Sequence, residues 1–135
     1  AQTLHALADV LETARIHRLT RHQHILFRLG ELIAYAEGAA SLAHRAARAA
    51  EGRLNPKAWQ RFGPEALATF SRVFAREAAS RVLSEGMRWI GGAAGAREIG
   101  ELEKRLNAAQ VYQAQAGLLL DMDHVADILY GRTAT

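Results

Sequence analysis

Residues 20–52 read TRHQHILFRLGELIAYAEGAASLAHRAARAAEG, and their apolar side chains recur every three or four positions. This spacing is typical of a helix that packs lengthwise against other helices. The predicted contact stripe consists of Ile25, Leu29, Leu32, Ala36, Ala39, Ala43, Ala46 and Ala50. Its predicted flank consists of Leu26, Ile33, Ala40 and Ala47. Because the second half of the stripe is nearly all alanine, a neighbouring helix can approach closely there.

Both ends of this long helix carry sequence signals. Thr20 followed by Gln23 has the spacing of a capping box, and Gly52 suits a left-handed C-cap. Residues 3–18 also follow helical spacing, and we expect a bend at Thr20 between the two helices.

A connection, RLNPKAWQRFG, follows over residues 53–63, because Pro56 blocks continuation of the helix. Pro64 then suits the first position of a new helix, and the glycine-rich run 91–95 suits its end. Further helices are predicted over residues 64–90, 97–106 and 108–130. The predicted fold is all-α, an up-and-down bundle of about four main helices in a single domain over residues 1–135.

Composition limits the function classes. The 135 residues include no cysteine, which excludes disulfides, thiolate metal sites and a cysteine nucleophile. The net charge of +3 is far from that of a nucleic-acid-binding domain, so no nucleic-acid partner is expected. No apolar run approaches the roughly 20 residues that span a bilayer. We expect a soluble or peripheral protein, cytoplasmic or at the inner face of a membrane.

Two histidine-containing clusters are candidates for a metal site. His17, His22 and His24 lie among four arginines, which would repel a cation, so they predict a basic surface patch. The DMDHVAD run at residues 121–127 has one i, i+3 Asp–His pair, but di-iron bundles use two Glu-x-x-His motifs. We expect no metal site, and a surface pair between His124 and Asp127.

The serines offer no catalytic signature, since none lies in a Gly-x-Ser-x-Gly turn, and no phosphate-binding loop is present. No catalytic residue is therefore predicted in this chain. Gln115 is either a polar residue buried at the helix seam or a sign that the stripe of the last helix is rotated.

The predicted contact site lies in the connection and consists of Lys57, Trp59, Arg61 and Phe62. Aromatic rings beside cations are typical of a membrane or partner contact. The alternative is that both rings cover the end of the bundle, since large aromatics usually bury most of their surface.

The run QHILFRLGELIAYAEGAASLAHRAARAAEG, residues 23–52, resembles the extra C-terminal helical domain of acyl-CoA dehydrogenases of the very-long-chain type and their bacterial relatives. Gln23, Leu26, Arg28 and Leu29 match a Q-x-x-L-x-R-L-A-D pattern of the family, with Gly30 in place of its Ala and Glu31 in place of its Asp. The segments ALADVLETARIHRLTRH and REAASRVLSEGMRWIGG are also similar to the family.

The resemblance implies a parent enzyme that uses FAD to oxidise an acyl-CoA thioester to the enoyl-CoA. Its catalytic and flavin-binding residues would lie in an upstream core, so this segment would bind no FAD itself. The chain would be a C-terminal fragment that serves membrane, dimer or partner contacts. The runner-up function is a free-standing helical-bundle interaction or regulatory protein, and the third is a metal-binding bundle enzyme.

Overall fold

The computed structural model describes residues 2–55, 57 and 61–132. The helices there are α1 (Gln2–Ile16), α2 (Gln23–Ala50), α3 (Pro64–Ala93), α4 (Ala96–Leu106), α5 (Ala108–Gln113) and α6 (Leu118–Tyr130), and a short 3₁₀ turn spans Leu19–Arg21. No strand occurs among these residues, so the predicted all-α class is confirmed.

α2 and α3 lie side by side and antiparallel. At one end of the pair, Ala46 and Ala49 of α2 pack with Leu67 near the start of α3. At the other end, His24 of α2 contacts Trp89 near the end of α3, with ring centroids 6.0 Å apart. The two longest helices therefore form the frame on which the other elements pack.

The main core lies where α1, α4 and α5 cover the first half of α2 and the second half of α3. Its fully buried members include Val10, Ala14, Val82, Ile90, Leu102 and Leu106. Among the described residues, the far half of the α2–α3 pair has a small second cluster. The bundle is thus thickest at the end that carries the start of α2.

The predicted contact stripe of α2 is correct over its first half and shifts in its second. Ala36 and Ala39 are buried as expected. Ala43 is exposed, contrary to the prediction, and Ala49 is buried beside Ala46. Leu42, one residue before Ala43, is half-buried, so the contact face lies one residue earlier than predicted at positions 42 and 49. Ala50, in the last turn, is exposed as well.

The predicted flank of α2 is also largely wrong, because α3 covers one side of α2 only. Leu26 and Ile33 are 49% and 41% exposed, and Ala47 is exposed as well. The first half of α2 therefore presents large apolar side chains to solvent.

The start of α2 differs from the predicted capping box. Thr20 lies inside the 3₁₀ turn, and extended His22 takes the N-cap position without a side-chain cap. The expected bend is present, since Arg18 has a left-handed backbone (φ 55°) and α1 ends before residue 18.

The end of α2 matches the prediction. Gly52 has φ 67°, its N–H donates to the carbonyl of Ala49, and the N–H of Arg53 donates to the carbonyl of Arg48 at 2.8 Å. This is a Schellman motif, which needs the left-handed conformation that glycine adopts without strain.

The later helices differ from the prediction in two places. α3 continues through the two glycines at 91 and 92 and ends at Ala93. The expected last helix over 108–130 is two helices, because Gly117 adopts φ 80° and residues 114–117 form a turn. Asn107, also left-handed, separates α4 from α5, and Gly131 ends α6 as predicted.

Candidate interaction surface

The predicted contact site is only partly described. Trp59 and Pro56 lie outside the described residues. Phe62 is half-buried, and its ring meets Phe70 of α3 edge-on at a centroid distance of 5.1 Å. Phe62 therefore covers the end of the bundle, as the alternative interpretation of this ring expects.

The two cations of the predicted site are exposed. The guanidinium of Arg61 lies 5.2 Å from the centre of the Phe62 ring. The backbone N–H of Lys57 donates to Oδ1 of Asn55 at 3.0 Å, which orders the backbone beside it. Both side chains thus present positive charge at this end of the bundle.

The histidine-rich patch lies at the opposite end of α2, whose 28 residues span about 42 Å. His22 and His24 are closer than a continuous helix would place them, with ring centroids 6.0 Å apart, because His22 precedes the helix in an extended conformation. His24 also meets the edge of Trp89. Among the described residues, no group of three or more His, Asp or Glu is arranged to hold a metal ion.

The DMDHVAD run has a different role from the predicted surface pair. Asp121 accepts two hydrogen bonds from Arg72, at 2.6 and 3.0 Å, and one from Arg76 at 2.5 Å. Nδ1 of His124 lies 3.3 Å from the hydroxyl of buried Thr69. These contacts join α6 to α3.

The arginines affect the charge state of this carboxyl group. The hydrogen bonds from Arg72 and then Arg76 outweigh partial desolvation and hold the pKa of Asp121 well below its ordinary value. The carboxylate therefore stays negative across the neutral range.

The turn before α6 is also held by Arg76, which donates to the carbonyls of Ala114 at 2.7 Å and Ala116 at 2.9 Å. Gln115 is half-buried in the same turn and donates to Ser80 at 3.1 Å and to the carbonyl of Val111 at 3.3 Å. Both interpretations of Gln115 hold in part. Its side chain lies half-buried at the helix seam, and the apolar stripe of the last helix is rotated as well, since Met122 and Leu129 are 48% and 51% exposed whereas Asp121 and His124 are half-buried.

The outer face of α6 is apolar and open to solvent. Its large exposed side chains are Leu119 (74%), Leu120 (76%), Met122 (48%), Leu129 (51%) and Tyr130 (75%). No residue of α6 is buried. Exposed apolar side chains this close together are typical of contact surfaces.

α6 runs antiparallel to α3, as three pairs along it show. Gln115 meets Ser80, Asp121 meets Arg76, and His124 meets Thr69. The last turn of α6 therefore lies beside the first turn of α3, at the same end as Lys57 and Arg61. Arg132 adds a third cation there, with its guanidinium 5.4 Å from the Tyr130 ring centre. We call this region the tip surface; it consists of Lys57, Arg61, Leu129, Tyr130 and Arg132.

The grooves that flank α2 include an apolar one and a polar one. The apolar groove is about 380 Å³ in volume, and it lies between α2 and α6 above Phe70, Val73 and Phe74. The polar groove is about 230 Å³, and it lies between the first half of α2 and the second half of α3. Its arginines pair with carboxylates or aromatic rings: Arg28 with Glu31, Arg81 with Glu77 and Tyr35, and Arg88 with Glu85 and Trp89.

The sequence interpretation missed Arg72, Arg76 and Asp121 as partners. In these ion pairs the two residues are separated by 45 or 49 positions in the sequence, and no local spacing pattern predicts a pairing over that distance. Gly117 carried a usable signal, because a glycine inside an apolar helical pattern often marks a helix end. None of the described helices is both long and apolar enough to cross a bilayer.

Comparison with known proteins gives one match. The family model of the acyl-CoA dehydrogenase C-terminal domain matches residues 2–118. The matched region contains α1–α5 and ends at the first residue of α6. Neither a curated protein nor a solved structure matches the chain.

Proposed function

The chain belongs to the acyl-CoA dehydrogenase C-terminal domain family, and from this premise we propose that it is a non-catalytic helical domain of an FAD-dependent acyl-CoA dehydrogenase. In this proposal the parent chain oxidises an acyl-CoA to the enoyl-CoA, and its catalytic core is the first partner of the domain. The domain itself serves to hold the enzyme at a negatively charged membrane surface.

The apolar and the polar groove beside α2 do not fit FAD. The apolar groove is lined by carbon-rich side chains, with Glu77 and Gln115 as its polar members, and offers a pyrophosphate no cation. In the polar groove the arginines are engaged by carboxylates, which would repel a pyrophosphate. We therefore derive no catalytic step within this domain.

The observation that carries the membrane proposal is the composition of the tip surface. Leu129 and Tyr130 are exposed beside Arg132, at the end that also carries Lys57 and Arg61. An aromatic and aliphatic patch among cations suits the boundary between headgroups and acyl chains. The attraction of each cation to an anionic leaflet falls as salt screens it.

The outer face of α6 extends this surface away from the tip. Leu119 and Met122 continue the apolar side chains along the helix, and Asp123 is the charged residue among them. A helix of this kind can lie in the plane of a membrane interface with its apolar side inserted. Attachment of this type is peripheral.

Vesicle flotation tests the proposal. The purified chain should float with anionic vesicles at low salt, less at high salt, and little with neutral vesicles. Two double variants should each lose most of this binding: Lys57→Glu with Trp59→Ala, and Leu129→Ser with Tyr130→Ser. Arg18→Glu with Arg21→Glu, at the other end of α2, is the matched control and should bind as the wild type does.

A contact between two copies is the second candidate, because the exposed apolar face of α6 also suits a protein interface. Sedimentation of the same variants separates the two. The dimer would replace the membrane proposal if two results were found together. The wild type would sediment as a dimer and bind no vesicles, and the Leu129→Ser, Tyr130→Ser variant would sediment as a monomer.

A further inference from the structure

α6 differs from the other helices in how deeply its side chains are buried in the bundle. Each of α1–α5 has at least two buried residues, whereas α6 has none. α6 packs against α3. α6 is therefore retained by half-buried apolar side chains, among them Leu118, Val125 and Ile128, and by polar contacts with α3.

Those polar contacts converge on one carboxylate. Asp121, with a side chain 15% exposed, receives hydrogen bonds from Arg76, equally covered, and from Arg72, which is half open to water. His124 and Thr69 make one further contact at 3.3 Å. We call the Arg72–Asp121–Arg76 cluster the latch. Ion pairs that are partly open to water hold weakly, and salt screens them.

The turn before α6 is held by contacts that do not involve Asp121. Arg76 binds the carbonyls of Ala114 and Ala116, and Gln115 binds Ser80. Gly117 follows Ala116, and its φ of 80° is in the left-handed region, which glycine adopts without strain. A hinge at Gly117 would leave this turn and α5 in place.

From these contacts we infer that α6 is a latched arm that opens from α3 as one unit about Gly117, while α1–α5 stay folded. The latch at Asp121 sets how often it opens. Opening uncovers Thr69, which is fully buried in the closed form, and widens access to the apolar groove above Phe70 and Phe74. This inference does not depend on the proposed membrane contact.

Hydrogen exchange of the whole chain, read by mass spectrometry or NMR, tests the latch. Amides of residues 121–130 should share one protection factor, at least about tenfold lower than those in the middle of α2 and α3. Asp121→Asn should lower the shared protection factor of α6 about tenfold or more and leave the protection factors in α2 and α3 within about twofold. Asp123→Asn removes the same charge from the exposed face of α6 and should change neither.

A second experiment uses the wild type alone, so its result does not depend on how a variant folds. Raising salt to about 1 M should speed exchange in α6 and leave α2 and α3 unchanged. Exchange of α6 in step with α2 and α3 would overturn the inference. So would a gradient of rates falling from Tyr130 inwards, because that pattern indicates fraying of the helix end.

Discussion

Gly86 of α3 lies directly against Val10 of α1, so closely that a Cβ atom on the glycine would stand 2.6 Å from Cγ2 of the valine. Both residues are buried. The absence of a side chain at Gly86 lets α1 approach α3, and this approach brings the core of the thick end together.

Gly86→Ala should therefore destabilise the fold, although alanine is the better helix former by about 1 kcal/mol. The added methyl group has to displace Val10 within a packed core, and overpacking of this kind costs about 1–3 kcal/mol. We expect a lower urea midpoint with an unchanged slope. Gly30→Ala is the matched control, because Gly30 lies on the exposed side of α2, where an added Cβ would have no neighbour within 4 Å. It should stabilise by about 0.4–1 kcal/mol.

Two alanines of α2 separate the observed contact face from the predicted one. Ala36 is 1% exposed, whereas Ala43 lies in solvent. Ala36→Leu should overpack the helix seam and lower stability by about 1–3 kcal/mol, while Ala43→Leu should stay within about 0.5 kcal/mol of the wild type. Thermal unfolding of the two variants side by side checks this. A large loss from Ala43→Leu would contradict the position of the face.

The latch should respond to acid. Hydrogen bonds from Arg72 and Arg76 lower the pKa of Asp121 from its ordinary value of 3.8. A carboxyl group with a lowered folded pKa stabilises the closed arm fully above its unfolded pKa, and this stabilisation is lost as the pH falls further. NMR signals of the α6 amides should shift towards the open form below about pH 4.

Asp121→Asn removes this titration. Its α6 signals should already lie towards the open form at pH 6 and change little on acidification. Asp123→Asn should keep the acid response of the wild type. If this control loses the response, the response of the wild type comes from the overall charge of α6 and not from Asp121.

The purified 135-residue chain should be colourless, because we expect FAD to be held by the rest of the parent enzyme. The absorbance spectrum after incubation with FAD and gel filtration checks this. A flavin band that stays with the protein would contradict the non-catalytic assignment, and so would acyl-CoA oxidation by the chain alone.

Much of the frame follows from local sequence patterns. The spacing in residues 20–52 and Pro64 at a helix start place the α2–α3 pair, and Gly52 and Gly131 mark helix ends correctly. The exposure of Leu26 could not be predicted from these patterns. A stripe shows which residues of a helix are apolar, but the number of neighbouring helices decides which of them are buried.

The attachment of α6 to α3 could not be predicted from local sequence patterns, for a different reason. Asp121 is a surface residue by type, and its role depends on two arginines that the fold brings to it from α3. The predicted loop site rests on composition alone, and packing on Phe70 gives Phe62 a structural role there.

The position of α1 has a consequence for synthesis on the ribosome. Its Val10 packs on Gly86, and its Thr13 receives a hydrogen bond from Arg105 at 2.9 Å, 92 residues away. At roughly 5–20 residues per second, α1 waits about 5–20 s after its own translation for α4 to be made. During that interval its apolar side lacks these partners and is open to chaperones. The packing of α1 is therefore completed only when α3 and α4 have been made.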